Sequence, residues 1–341
     1  MKVLVLGGTG NISRAVVGAL MGKNYEVVLF TRGLNPDPPP AGLHVITGDR
    51  RNRDNFKRLL DGQRFDYVID MICFDLEDAK SDCFVFRDRV EHFIHCSTVM
   101  TYGPPFPGVY LDESSPLNGN SNYSRNKIAA DEYFLRKHQD AQFPVTILKP
   151  SLTFGANVLL PQIGGDGSWI DGLRKYKPLL SAGDGQNYFQ FLPSKDAGLA
   201  FSAVLGRKAS IGQVYNLVHP NPRTWDHWHQ EVAESLGVDL RLVHVPQDLL
   251  IELSPSRFGG LADNFGHTQI YEGSKLGALI PEFQPRLSLI SDIRESIDWM
   301  DRHRLIPDSD GKTVEDRIID MVQRVPDWFR NRVQQVNFES I

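Results

Sequence analysis

Several features are scarce or missing in this chain, and each absence removes a class of protein. Cysteine occurs only three times in 341 residues, as Cys73, Cys83 and Cys96, and no two of them form a CxxC pair. We therefore expect buried, reduced thiols rather than a disulfide scaffold. No hydrophobic run approaches the length of a membrane span, and the first apolar run begins directly after Met1, which leaves no room for a signal peptide. These absences predict a cytoplasmic protein without a membrane partner.

The chain also lacks an excess of positive charge and a cluster of metal-binding side chains. It has 37 Lys and Arg against 42 Asp and Glu, which gives a net charge of −5. Nucleic acids are attracted by basic surfaces, so we predict no nucleic-acid partner. His227 and His229 flank Trp228 without a third ligand nearby, so we expect no metal site.

The chain does contain a regular alternation of short apolar runs and helical stretches. Runs rich in Val and Leu predict buried parallel strands, and the stretches between them have helical periodicity. The predicted strands cover residues 2–6, 26–31, 43–46, 67–71, 92–96, 145–149 and 214–218, and the predicted helices cover 11–21, 55–60, 76–88, 123–137 and 196–205. Repeated βαβ units of this size are typical of the α/β class, so we predict a doubly wound Rossmann parallel sheet.

A glycine-rich turn lies where the first predicted strand becomes the first predicted helix. Gly7 permits a tight turn, and Gly10 lets the backbone come close to a pyrophosphate, which the helix N-terminus then binds. Ser13 stands where the pattern usually has its third small residue. The predicted cofactor-binding residues of this turn are Gly7, Thr9, Gly10, Asn11 and Ile12.

The residues after the second and third strands bear on which dinucleotide is bound. The second strand ends in Thr31-Arg32 and lacks the acidic residue that would bind the ribose of NAD. Arg32 would instead pair with the 2′-phosphate of NADP, although a solvated loop arginine is the alternative. We therefore favour NADP over NAD. Asp49 and Arg50 follow the third strand, where side chains meet the adenine; a plain charged turn explains them equally well.

The second half of the chain has a different texture, with glycine, proline and aromatic residues crowded into positions 154–190. We predict an NAD(P)-binding Rossmann domain over residues 1–155, with contributions from about 190–218. Residues 156–189 and 219–341 are predicted to form a smaller C-terminal substrate-binding lobe.

Three side chains point to proton transfer. Tyr123 and Lys127 are four residues apart on one face of the long predicted helix. An ammonium one turn away stabilises a phenolate and lowers its pKa, which makes Tyr123 a usable acid or base. Thr98 follows the buried strand 92–96 and is placed to bind the same substrate oxygen. A surface Tyr and Lys would be the alternative, but the Rossmann context favours catalysis.

These residues resemble the extended short-chain dehydrogenases/reductases of the NAD-dependent epimerase/dehydratase family. The resemblance rests on the glycine turn, the Thr98-to-Tyr123 spacing, the strand Ile147–Pro150 and the segment Gly183-Asp184-Gly185. It implies that Tyr123 is the acid/base and that Thr98 orients the substrate hydroxyl. It further implies cofactor contacts by Lys127 at the nicotinamide ribose, by Met71 and Ile72 at the pyrophosphate, and by Pro150 beside the nicotinamide.

The two residues after Thr98 narrow the reaction class. Members of the family that eliminate water or carbon dioxide carry carboxylates there, whereas this chain has Val99 and Met100. The remaining chemistry is hydride transfer at a carbinol or keto carbon of a sugar-type substrate. A nucleotide-sugar 4-epimerase and a ketoreductase both fit the trio.

The resemblance implies a nucleotide-sugar substrate, but the segment after Gly185 carries Phe189 where the family often has a diphosphate-binding Arg. Arg174 and Arg257 are candidates for that role, with ordinary surface cations as the alternative. Trp169 and His267 are candidate substrate contacts, with core packing as the alternative.

Two other classes of function stay open. One is an RNA-binding protein like the chloroplast stem-loop-binding proteins, and the other is an NADP-sensing regulator; the intact Tyr123 and Lys127 argue against both. The resemblance also implies a homodimer through helices 76–88 and 123–138, with packing of the apolar helix face inside the monomer as the alternative. Its predicted contact face contains Ala129, Ala130, Tyr133 and Phe134.

Overall fold

The computed structural model describes residues 1–35, 38–311 and 313–333, with side chains described as far as residue 325. The final residues of the predicted C-terminal lobe, 334–341, lie outside the described part. The strands are β1 Lys2–Leu6, β2 Glu26–Thr31, β3 His44–Thr47, β4 Tyr67–Asp70, β5 His92–Cys96, β6 Tyr110–Leu111, β7 Val145–Pro150, β8 Leu152–Phe154, β9 Leu179–Ala182, β10 Tyr188–Phe189, β11 Phe191–Pro193, β12 Val214–Leu217, β13 Arg223–Thr224, β14 Leu242–Val245 and β15 Ile270–Tyr271.

The helices alternate with these strands in the first half of the chain and dominate the second half. They are α1 Asn11–Gly22, α2 Arg53–Leu60, α3 Leu76–Phe86, α4 Asn122–Ala141, α5 Ser168–Arg174, α6 Ser194–Val204, α7 Trp225–Leu236, α8 Gln247–Leu253, α9 Pro255–Gly260, α10 Ser274–Leu279, α11 Ile290–Arg302 and α12 Val314–Val333. None of the helices in the described residues is long and apolar enough to cross a membrane.

Seven of the strands form one parallel sheet in the order β3-β2-β1-β4-β5-β7-β12. The chain builds outward from β1 in one direction and then from β4 in the other. The switch point lies between β1 and β4, whose register pairs Leu6 with Asp70. Ligands of such sheets bind outside the carboxyl ends of the strands at this point. The predicted doubly wound parallel sheet is confirmed.

Each face of the sheet has its own apolar core, because side chains alternate along a strand. Val3 and Val5 of β1 pack with α1 and α6 on one face, while Leu4 and Leu6 pack with α2, α3 and α4 on the other. Helix α6 approaches α1 so closely that a Cβ at Gly198 would lie 2.4 Å from a backbone carbon of Ala15. These contacts fix α1, and therefore the glycine turn, against the sheet.

A third core lies among the elements that follow Pro150 and is rich in aromatic residues. Phe191 stacks on Trp228 at a centroid distance of 4.2 Å, and Phe189 packs on Trp225 at 5.9 Å. Both tryptophans are fully buried. Phe189 of this cluster also lines a cleft that contains the glycine turn.

Two sequence-based predictions concern exposure. The three cysteines are free and buried, as predicted, whereas the cytoplasmic location stays a prediction. The predicted dimer face is only partly exterior. Ala130 and Phe134 are completely buried in the monomer's own core, because they pack beneath the sheet. Only Ala129 and Tyr133 of that set remain partly exposed.

Candidate active site

The glycine turn has the backbone shape that the sequence predicts. Gly7 has a φ of +84°, and a Cβ there would lie 2.3 Å from Cγ2 of Ile72. The amide of Gly10 donates a 2.7 Å hydrogen bond to Oγ of Ser13, which explains the serine at the third position. Helix α1 then begins at Asn11. Residue 7 must therefore be glycine, both because its φ is positive and because a side chain there would clash with Ile72.

A cleft of about 400 Å³ opens at this turn. Its walls combine the glycine turn, the ends of β4, β5 and β7, the start of α4 and a segment near residue 265. The lining residues are Gly7, Gly10, Asn11, Ile12, Ser13, Met71, Ile72, Phe74, Cys96, Ser97, Thr98, Val99, Met100, Tyr123, Lys127, Pro150, Ser151, Leu152, Thr153, Val158, Phe189, Asn264 and Phe265. The glycine cradle and the N-terminus of α1 at one end of the cleft fit the pyrophosphate of a dinucleotide.

The three predicted catalytic residues meet in this cleft. Lys127 is 2% exposed, and its Nζ donates to the carbonyls of Cys73 at 2.7 Å and Cys96 at 2.8 Å. That Nζ lies 6.0 Å from the ring centroid of Tyr123, which is 41% exposed at the cleft. Thr98 lies just beyond the end of β5, and its Oγ1 accepts a 3.2 Å hydrogen bond from the amide of Met100. The trio is therefore held by elements of the sheet and of α4.

The electrostatics of the trio differ from the expectation in one respect. Although Tyr123 as a whole is 41% exposed, partial desolvation of its phenol raises its pKa, and this outweighs the lowering effects of Lys127 and of the hydrogen bond to Thr98. Burial alone would lower the pKa of Lys127, but the neighbouring Tyr123 and Cys96 raise it overall. Without a ligand, the phenol is neutral and the ammonium charged at neutral pH.

A buried polar network lies behind Thr98. Oδ2 of Asp131 accepts hydrogen bonds from Nζ of Lys149 and Oγ of Ser97, both at 2.8 Å. Lys149 also donates to Oγ1 of Thr101 at 2.6 Å, and that hydroxyl donates to the carbonyl of Thr98 at 2.9 Å. The backbone around Thr98 is thus tied down from both sides.

The other predicted cofactor residues are more scattered. Met71, Ile72 and Pro150 line the cleft. Thr9 does not line it, and its backbone carbonyl accepts a 2.8 Å hydrogen bond from the side chain of Asn35. Arg32 is exposed just beyond β2 and has no hydrogen bond or ion pair with any described residue. Its guanidinium is therefore accessible.

Arg50 lies elsewhere than at the adenine position predicted for it. It is 5% exposed and forms ion pairs with Asp70 at 2.6 Å, Asp82 at 2.8 Å and Asp78 at 3.2 Å. Its guanidinium is therefore paired inside the protein with three acidic side chains from β4 and α3. Asp49 accepts a 2.9 Å hydrogen bond from the amide of Arg51 and does not line the cleft.

The predicted substrate contacts outside the trio are not brought to the cleft. Arg174 pairs with Asp301 at 2.5 Å, and Arg257 pairs with Glu315 at 2.6 Å. Trp169 is buried in the third core, where its Nε1 donates to the carbonyl of Leu159 at 2.9 Å. His267 lies 2.9 Å from the carbonyl of Ala262. Surface cations describe the positions of the two arginines and core packing describes that of Trp169, whereas His267 is half-buried just after a π-helical turn.

Asn264 and Phe265 line the cleft, but no feature of the sequence identifies them as candidate site residues. They belong to a π-helical turn, Leu261–Phe265, after α9. No motif or periodicity marks this turn in the sequence. Such turns are rare and are frequent at functional sites.

The comparison with known proteins agrees with this geometry. A model of the NAD-dependent epimerase/dehydratase family matches residues 3–82 and 83–217. The 2′-dehydrokanamycin reductase of Streptomyces kanamyceticus is 27% identical over 314 residues, which cover 91% of this chain and 87% of that protein. The chloroplast stem-loop binding protein of 41 kDa b of Arabidopsis thaliana is 23% identical over 273 residues, covering 75% of this chain and 67% of that protein.

Solved structures share the fold over most of the chain. The UDP-glucose 4-epimerase of Thermotoga maritima superposes with a TM-score of 0.71 at 17% identity, covering 89% of this chain and 100% of that one. The UDP-glucuronic acid 4-epimerase of Bacillus cereus, solved with NAD, gives 0.68 at 19% identity and covers 89% of this chain and 97% of that one. The chain therefore belongs to the NAD-dependent epimerase/dehydratase family and is an enzyme.

Proposed function

We propose that this enzyme interconverts a ketone and a secondary alcohol on a sugar-type substrate, with NAD(P) as the redox partner. The observation that carries the proposal is the meeting of Thr98, Tyr123 and Lys127 with the glycine turn in one cleft. A dinucleotide bound at the turn would supply or accept the hydride. Gly7, Gly10, Asn11 and Ile12 would hold its pyrophosphate.

Each residue of the trio has a separate part in the proton transfer. Tyr123 donates its phenolic proton to the carbonyl oxygen during reduction and takes it back during oxidation. Thr98 donates a hydrogen bond to the same oxygen and fixes its position. Lys127, held by two backbone carbonyls, keeps a positive charge near the phenol and favours the phenolate once the proton has left.

Of the two candidate reactions, we propose ketone reduction rather than 4-epimerisation. A phenol whose pKa is at or above the usual tyrosine value is protonated at neutral pH in either reaction, so the raised pKa of Tyr123 is compatible with both. The direction is supported by the relative from Streptomyces kanamyceticus, whose name describes it as a reductase of 2′-dehydrokanamycin. Epimerisation of a nucleotide sugar is the alternative, and it requires a dinucleotide that stays bound through both half-reactions.

For the cofactor we propose NADP. Arg32 is exposed beyond β2 and unpaired among the described residues, so its guanidinium is available for a 2′-phosphate. The UDP-glucuronic acid 4-epimerase of Bacillus cereus was solved with NAD. NAD is therefore the alternative that the experiment must test.

The predicted division of labour along the chain is also part of the proposal. Residues 1–155, with about 190–218, would bind the dinucleotide, and residues 156–189 and 219–341 would bind the substrate. Val158, Phe189, Asn264 and Phe265 belong to the second part of the chain and line the same cleft as the glycine turn, which supports this division.

A homodimer through α3 and α4 completes the proposal. Phe84 on α3 is 66% exposed, and a groove of about 360 Å³ lies between it and Tyr133 on α4. A second copy of this surface would cover both aromatic side chains. RNA binding, which the chloroplast relative suggests, would not explain why Thr98, Tyr123 and Lys127 meet in one cleft.

The test starts with the nucleotide that the purified protein carries. The protein is denatured, the released nucleotide is identified by mass spectrometry, and the emptied protein is titrated with NADPH and NADH. Kanamycin, methyl glucosides, UDP-glucose and UDP-galactose are then offered as alcohols with NADP⁺ or NAD⁺, to wild type and Tyr123→Phe. An empty site that prefers NADPH, with turnover that depends on Tyr123, supports the reductase.

Two results would contradict the proposal. Tightly held NAD⁺ in one-to-one ratio would indicate the epimerase. Failure to bind either dinucleotide would remove hydride chemistry altogether and leave RNA binding as the function to test.

A further inference from the structure

The substrate part of the cleft is almost free of charge. Among the described residues that line it, the one charged side chain is Lys127, and its ammonium already donates to two carbonyls. A nucleoside diphosphate carries at least two negative charges, and proteins neutralise these with Arg, Lys or a helix N-terminus. The helix N-terminus at this cleft belongs to α1, which the dinucleotide would use.

The arginines that could have reached a diphosphate are occupied elsewhere. Arg174 forms two hydrogen bonds to Asp301, and Arg257 donates to the carbonyls of Ile163 and Gly164 besides its pair with Glu315. Neither lines the cleft. A second anionic ligand would therefore lose its hydration without gaining a partner.

Asn264 is one of the uncharged polar residues that line the cleft, and it belongs to the part of the chain proposed to bind the substrate. It is 4% exposed, and its backbone carbonyl accepts hydrogen bonds from Nε2 of Gln269 at 2.7 Å and from the amide of His267 at 3.2 Å. The π-helical turn is thus held in place. Asn264 lines the cleft, and its side-chain amide has no hydrogen-bond partner among the described residues.

A carboxamide both donates and accepts, which matches a sugar hydroxyl. Beside it, Phe265 packs edge-on against Phe189 at a centroid distance of 5.7 Å, and both line the cleft. Their apolar wall suits the C–H face of a sugar ring. One amide against an aromatic wall is a common design for binding an uncharged polar ligand.

From these features we infer that the substrate is a glycoside without a nucleotide diphosphate, and that Asn264 binds one of its ring hydroxyl groups. This inference rests on the proposed function and narrows its substrate class. Asn264 is a specificity-determining residue in this scheme, whereas Tyr123 carries out the proton transfer.

The first test compares the two ligand classes on enzyme loaded with NADP⁺. UDP, UDP-glucose and UDP-galactose are titrated by calorimetry beside kanamycin and methyl glucosides, and the glycosides are assayed for oxidation. We expect binding and oxidation of a phosphate-free glycoside and no binding of UDP at millimolar concentration. Micromolar binding of UDP or a UDP-sugar would overturn the inference. So would a panel in which protein that binds NADPH neither binds nor oxidises any phosphate-free glycoside.

The second test separates Asn264 from the fold and from the chemistry. In Asn264→Ala we expect the KM of the accepted glycoside to rise roughly tenfold, with the Kd of NADPH and the Tm unchanged. Asp263→Ala, on the same turn but outside the cleft, is the matched control and should leave KM unchanged. An unchanged KM in Asn264→Ala would remove its assigned role. If the wild-type enzyme did not bind NADPH, or if its turnover did not depend on Tyr123, the proposed function itself would be refuted.

Discussion

Asp131 and Lys149 form an ion pair of 2.8 Å in which both side chains are almost completely buried. Burial alone would raise the pKa of Asp131, but Lys149 and His95 lower it strongly, so the carboxylate is charged. The pair lies behind Thr98, to which it connects through Ser97 and Thr101. It therefore couples the stability of the sheet to the position of a catalytic hydroxyl.

Removing one partner of this pair should be costly. Breaking a buried ion pair leaves an uncompensated charge, so Asp131→Asn and Lys149→Met should each lower the free energy of unfolding by about 3–5 kcal/mol. The double variant should lose less than the sum. Urea unfolding measures all three. The exposed pair Glu77 and Lys80 is the control, because its loss should cost less than about 1 kcal/mol. Equal losses of unfolding free energy for the buried pair and the exposed pair would contradict the conclusion that Asp131 and Lys149 form a buried ion pair.

The pH dependence of ketone reduction should report the protonation state of Tyr123. Its pKa is raised by burial, so the phenol stays protonated from neutral to moderately alkaline pH. The kcat/KM for reduction should be flat there and fall only above the usual tyrosine value of about 10. Oxidation should show the opposite trend, since it needs the phenolate.

Steady-state kinetics across this pH range measure both directions. Tyr123→Phe should lower kcat by roughly 10²-fold or more, whereas Tyr110→Phe, at an exposed tyrosine, should leave kcat unchanged. A fall in reduction that begins near neutral pH and disappears in Tyr123→Phe would mean that the charge of Lys127 outweighs burial.

The predicted site residues that the structure brings together in the cleft include those whose relative positions are set by local spacing. The turn Gly7–Ser13 and the pair Tyr123 and Lys127 need only a strand, a turn and a helix to acquire their geometry. Arg50 behaves differently, because its environment depends on carboxylates such as Asp82, which only the folded α3 brings to it. A charged residue after a strand carries no local sign of such a partner.

The substrate wall could not be predicted for a related reason. Asn264 reaches the cleft through a π-helical turn that lies about 140 residues after Tyr123 in the chain. Its neighbours in space come from β10 and from the loop after β8, so no periodicity links them. Likewise, Arg257 is neutralised by Glu315, which is far from it in sequence.

Two glycines of the first βα unit should respond in opposite directions to alanine. Gly7→Ala places a side chain at a positive φ and against Ile72, so we expect lower stability and weaker NADPH binding. Gly18→Ala lies in the exposed middle of α1 with no atom within 4 Å and should raise the free energy of unfolding by about 0.5–1 kcal/mol. Urea unfolding and NADPH fluorescence titration measure both effects. Tolerance of alanine at residue 7 would contradict the described turn.

Cofactor choice can be tested at a single exposed side chain. If Arg32 binds the 2′-phosphate, Arg32→Ala removes a charge-assisted contact worth about 1.5–3 kcal/mol, so the Kd of NADPH should rise by roughly 10- to 100-fold. The Kd of NADH should stay the same, because NADH lacks that phosphate. Arg64→Ala is the matched control, since Arg64 is also exposed but precedes the amino end of β4, whereas Arg32 follows the carboxyl end of β2. Higher salt should weaken NADPH binding to wild type more than to Arg32→Ala, because screening acts on exposed charges. Equal loss of NADPH and NADH affinity in Arg32→Ala would mean that the arginine supports the loop rather than selects the cofactor.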